Sequence, residues 1–182
     1  YLKGRKEQAM RELLFYEKGY KDVQISPATL NRFSSTADRK YKVQFCRLPD
    51  SRVADEIHHF MEQGFSYEEI FDAAFGLDSI PERSIDFFSE EDPFIIENIF
   101  SEKLEKDEVL PPFKAIDGSY LWIKVKGWTK TPAITASSQK VIRQDIDEKL
   151  NRLKAVQKYN EYTAGLMSGK KMDLIEPTFA RF

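Results

Sequence analysis

The stretch 113-FKAIDGSYLWIKVKGW-128 decides the fold. Asp117-Gly118 is the strongest turn signal in the chain, and an extended run flanks it on each side, so the segment reads as a β-hairpin. In the second arm the side chains alternate. Leu121, Ile123 and Val125 share one face, while Tyr120, Trp122, Lys124 and Lys126 share the other.

Working outward, 93-PFIIENIF-100 reads as a helix opened by Ser89 and Pro93, and 84-SIDFF-88 as a short strand before it. Ser66 and Glu69 form a capping-box pattern that opens a helix over 67–75, with Ile70, Phe71, Ala74 and Phe75 as its apolar positions. The helix 52–63 carries Val53, Ile57, Phe60 and Met61 on one stripe, and Gly64 ends it. At 41-YKVQFCRL-48 the period is two, with Tyr41, Val43 and Phe45 on one face, which makes a strand. Residues 41–127 therefore read β-α-α-β-α-β-β, an α+β arrangement.

Two helical regions bracket it. Residues 5–18 have helical spacing at Ala9, Met10, Leu13 and Leu14, with Gly19 as a stop, and Ser26-Pro27 caps a short helix. The span 139–168 is one long helix with Ile142, Ile146, Leu150, Leu153, Val156, Tyr159, Tyr162 and Leu166 spaced by threes and fours. Its length of about 45 Å exceeds one small domain, so it is expected to pack with the N-terminal helices or with another chain. The tail 172-MDLIEPTFARF-182 is apolar enough to dock as an extended piece. The expected division is 1–38, 39–128 and 129–182.

Composition bounds the function. The chain has 182 residues, 41% hydrophobic and 32% charged, with 28 basic and 30 acidic residues finely mixed to a net charge of −2. This is a globular composition without the basic cluster that a phosphate backbone requires, so no nucleic-acid partner is expected. No apolar run is long enough to span a membrane. The single cysteine, Cys46, allows no internal disulfide. The chain begins at Tyr1, not Met, which implies a removed leader or a fragment. No phosphate loop, zinc spacing or hydrolase elbow is present, so neither metal nor cofactor is expected.

Four local patterns resemble the parvulin-type (PpiC-like) prolyl isomerase domain. They are the strand 41-YKVQFCRL-48, the helix pair ending 61-MEQGFSYEEIFDAAF-75, the strand 84-SIDFF-88, and 99-IFSEKLEKDEVLPPFKAIDGSYLWIKV-125. A helical piece before such a domain and a long helix after it resemble the layout of SurA- and PrsA-type exported chaperones. That resemblance implies an extracytoplasmic protein that binds unfolded or extended client polypeptides. The two flanks would join in a helical module, and the long helix could also serve a homodimer.

The departures are specific. The family's second histidine falls on Leu121 and its first on Gln44 or Phe45, so isomerase activity is expected to be weak or lost. His58 and His59 are adjacent on a helix and point about 100° apart, so they cannot chelate one metal together; they read as solvated or half-buried side chains. Prolyl isomerisation makes no lasting bond. A catalyst must hold the proline ring in an apolar pocket and favour the twisted amide against a barrier of about 20 kcal/mol. Cys46 and Asp78 remain as polar groups, although Cys46 on a strand also reads as a small core residue. The peptide-binding candidates are Phe45, Cys46, Phe94, Tyr120, Leu121, Trp122 and Trp128. Trp122 could be a contact rimmed by Lys124 and Lys126, or core beneath a helix. The rival functions are an active peptidylprolyl isomerase and a structural assembly subunit.

Overall fold

The computed structural model describes residues 2–76, 80–131 and 139–168. Asp78, the connector 132–138 and the tail 172–182 lie outside the described residues. The chain is α+β, with helices α1 (Leu2–Phe15), α2 (Pro27–Ser34), α3 (Ser51–Glu62), α4 (Tyr67–Phe75), α5 (Pro93–Phe100) and α6 (Gln139–Ser168). Its strands are β1 (Arg39–Leu48), β2 (Glu82–Asp86), β3 (Val109–Lys114) and β4 (Tyr120–Lys130). Between Arg39 and Lys130 the order is β-α-α-β-α-β-β. No described helix is long and apolar enough to cross a membrane.

Two compact units divide the chain. One contains α1 and the last turns of α6 from Lys154, and the other runs from Gln24 to Leu153. In the first, Gly19 does not end the helical run: α1 passes after Phe15 into a π-helical turn, Tyr16–Tyr20, in which Gly19 makes a close approach. A Cβ there would stand 2.7 Å from the Ala155 carbonyl oxygen. Phe15 packs edge-on against Tyr159, with ring centres 5.4 Å apart. Met10 and Leu13, on the expected stripe of α1, are each 61% exposed.

In the second unit the strands form one antiparallel sheet in the order β2-β1-β4-β3. The hairpin between β3 and β4 closes at Ala115–Ser119, where the Ala115 N–H donates to the Ser119 carbonyl at 2.8 Å. Lys42 lies opposite Gly127 and Val43 opposite Val125, so Lys126 is an extra residue in β4. Gly127 sits at this bulge with φ +149°, a conformation that favours glycine. Pro111 and Pro112 fall where the β3 register shifts, and β3 is an edge strand; both settings tolerate residues without an N–H.

Helices cover both faces. On one face Tyr41, Val43, Ile123, Val125 and Ile85 join Phe33 of α2, Ile96, Ile99 and Phe100 of α5, and Ile146, Leu150 and Leu153 of α6. On the other, Cys46, Leu48 and Trp122 pack against Ala54 and Ile57 of α3 and Tyr67, Ile70 and Phe71 of α4. Caps set the helix starts. Ser26 accepts from the Thr29 N–H, Asp50 from the Val53 N–H, and Ser66 and Glu69 complete the capping box. For α5 the cap is Asp92, not Ser89, because the Asp92 carboxylate accepts the Phe94 N–H at 2.8 Å. The strand expected at 84–88 forms at Glu82–Asp86, since Phe88 donates its N–H to the Asp86 side chain and turns away.

Candidate functional site

Antiparallel register decides which of the expected site residues can meet. Phe45 lies opposite Ile123, and Ile123 opposite Leu110. Arg47 lies opposite Leu121, and Leu121 opposite Phe113. Directly paired residues project to the same side of a sheet. Phe45, Leu121, Phe113 and Leu110 therefore share the face that α5 covers, where Ile95 also packs against the core. Gln44 pairs with Lys124 and projects to the opposite face. Of the two positions where the resemblance implies the first histidine, only Phe45 stands on the face of Leu121.

This face is apolar with charged margins. Leu121 is 3% exposed, while Phe45 and Phe113 are half-buried. At one margin Arg47 donates to the Asp117 carboxylate and, at 3.1 Å, to Ser119 Oγ. The Ser119 hydroxyl, the Ser119 N–H and Arg47 together hold the Asp117 carboxyl down at about 2. At the other margin the Arg83 guanidinium stands 6.0 Å from the Phe45 ring centre and pairs with Glu91 at 3.0 Å. Asp92 bridges α5 to the hairpin, because its second oxygen accepts the Ile116 N–H at 2.8 Å. Neither histidine is part of this face; both lie on α3.

The remaining candidates scatter. Trp122 is fully buried under α4, its ring centre 4.1 Å from that of Tyr67. It is core and offers no surface to a client, which removes it from the contact residues. Cys46 lies opposite Trp122 on the same buried side, and burial pushes its thiol up to about 11. Tyr120 packs on that side too. The Phe94 side chain is half-buried in the first turn of α5. Trp128 is half-buried beyond the bulge, with the Arg39 guanidinium stacked 3.9 Å over its ring. The face thus unites Phe45 and Leu121 and leaves Cys46, Tyr120 and Trp122 behind the sheet. Sequence reading passed over Arg47, although its alternation with Phe45 along β1 was a usable signal.

The Trp122 side contains three buried polar atoms without a hydrogen-bond partner among the described residues: Gln44 Oε1, Tyr67 OH and Trp122 Nε1. Lys124 also projects there and forms an ion pair with Glu68 of α4. The lysine holds the Glu68 carboxyl below the usual carboxylate range.

No protein-family profile and no curated protein sequence matches the chain. Among solved structures it is similar to PrsA from Bacillus subtilis, at 19% identity and a TM-score of 0.38, covering 94% of this chain and 65% of that one. It is also similar to the foldase protein PrsA from Streptococcus pneumoniae, at 17% identity and a TM-score of 0.42, covering 96% of this chain and 68% of that one. A third is the peptidylprolyl isomerase PrsA from Bacillus anthracis, at 14% identity and a TM-score of 0.43, covering 86% of this chain and 70% of that one. The chain thus spans 65% of the length of the Bacillus subtilis protein.

Proposed function

We propose that this protein is an extracytoplasmic, ATP-independent folding helper that binds extended segments of unfolded polypeptide at the half-buried Phe45 and Phe113 of the Phe45–Leu121 face, with buried Leu121 beneath them and with weak or no prolyl isomerase activity. The observation that carries the reading is that Phe45 and Leu121 lie diagonally on one face of the sheet, Phe45 opposite Ile123 and Leu121 opposite Arg47. The parvulin-like sequence patterns imply imidazoles at such positions, and here both side chains are hydrocarbon. An apolar row can hold a proline ring or another apolar side chain through burial alone. Neither side chain can favour the twisted amide by proton transfer or hydrogen bonding, and the Arg47 guanidinium beside them is engaged by Asp117 and Ser119. Arg47 and Arg83 at the margins are paired with Asp117 and Glu91, so the margins are polar and close to neutral and leave the apolar row to select the client.

Two measurements test this. Suppression of client aggregation without nucleotide, reduced by Phe45→Ala in a variant of unchanged circular dichroism, is the expected result. No protection of several clients at molar excess overturns the binding role. Turnover of a proline peptide equal to that of a histidine-bearing parvulin domain would return the protein to the isomerases.

A further inference from the structure

Helices α3 and α4 enclose a second apolar groove, remote from the Phe45–Leu121 face because both helices cover the opposite side of the sheet. Its volume is about 520 Å³. Ile57 and Ile70 are buried at its base, and Val53 lines the α3 wall. The α4 wall is low because Ala73 and Ala74 stand where larger side chains would fill the space. At one end Phe60 and Phe65 meet edge to face, ring centres 5.8 Å apart, and remain 43% and 51% exposed. Phe60 belongs to the apolar stripe of α3, yet it is spent on this groove and not on the core.

The charge around the groove is one-sided. From Ser51 to Gly76 the chain has Asp55, Glu56, Glu62, Glu68, Glu69 and Asp72 against Arg52 and the two histidines. Glu68 is engaged by Lys124, Glu62 lies 3.5 Å from His58, and Glu69 caps Ser66. Asp55, Glu56 and Asp72 have no cationic partner among the described residues. Glu56 and Glu69 themselves line the groove.

The geometry points to a second docking site, taking a short amphipathic segment of another polypeptide whose apolar side chains are flanked by Lys or Arg. Apolar anchors would enter between Ile57, Phe60 and Ile70, and the flanking cations would meet Glu56 and Glu69, the two carboxylates that line the groove. A groove of this size between two helices accommodates the anchor side chains of one helical turn or one extended segment.

The test uses the full chain and two fluorescent synthetic peptides of the same apolar sequence, one flanked by lysines and one by glutamates. The lysine peptide is expected to bind about tenfold tighter, a difference of about 1.4 kcal/mol, and to weaken with added salt. Phe60→Ser and Phe65→Ser should abolish its binding, and Glu56→Lys should erase the preference. All three side chains are exposed, so circular dichroism should not change. Equal binding of the two peptides, no binding of either, or a preference that survives Glu56→Lys overturns the proposal. So does a dimer by sedimentation equilibrium that Phe60→Ser dissolves, since a second copy would then occupy the groove. Client protection through the Phe45–Leu121 face does not involve Phe60, so failure of one site is measured separately from failure of the other.

Discussion

Phe45 and Leu121 stand on neighbouring antiparallel strands, on one face of the sheet and one pairing step apart, because Phe45 opposes Ile123 and Leu121 opposes Arg47. That relationship gives the face its chemistry. Installing imidazoles at both positions, Phe45→His with Leu121→His, places two titratable groups on one surface. If catalysis needs them there, proline-peptide turnover should rise by about a hundredfold or more in the double variant and much less in either single variant. Equal activity of wild type and double variant would show that the face is not the site of isomerisation.

Trp122 is the anchor of the opposite face. Trp122→Ala should destabilise the domain by about 3–5 kcal/mol, measured as a lower urea midpoint. In fluorescence, Trp128→Phe should leave the emission of a buried indole from Trp122, whereas Trp122→Phe should leave the redder emission of the half-buried Trp128. Spectra in the reverse order would contradict the buried placement.

Tyr67 makes a sharper test of the same packing. Its hydroxyl is buried without a partner among the described residues, and burial raises its pKa. Removing such a group should be neutral or stabilising by up to about 1 kcal/mol. Tyr67→Phe is therefore expected to match or exceed wild-type stability. A loss above about 1 kcal/mol would mean that the hydroxyl does have a partner.

The Cys46 thiol, pushed up to about 11 by burial, makes stability depend on alkaline pH. The folded state retains a proton that the unfolded chain loses near its ordinary value of about 8.5. The contribution is thus fully present below about 8.5 and falls as pH rises toward 11. Cys46→Ala should flatten that part of the stability profile. Alkylation of the native protein at neutral pH should be slow, and a fast reaction would overturn the assignment.

Gly19 tests the smaller unit. A side chain there would collide with the Ala155 carbonyl oxygen, which is backbone and cannot swing away. Gly19→Val should cost about 1–3 kcal/mol, read as faster amide exchange in α1 and the last turns of α6. Unchanged exchange in those segments would argue against the close approach.

The sequence by itself determined the strands and helices and their order. Alternation in 41-YKVQFCRL-48 and in β4, the Asp117-Gly118 turn and the capping box at Ser66 are local signals, set by backbone sterics and side-chain hydrogen bonds within a few residues. It also separated Leu121, Ile123 and Val125 from Trp122, since alternation is a property of one strand. What alternation cannot say is which face meets which helix, or how one strand slides against its neighbour. Only the register of β1 on β4, two strands far apart in the chain, placed Phe45 and not Gln44 beside Leu121. Trp122 could be contact or core until α4 was seen to lie over it. Phe60 had the spacing of a buried residue, and it is exposed because its neighbours across the groove are alanines. Burial is decided by the partner element, and the partner is a tertiary fact.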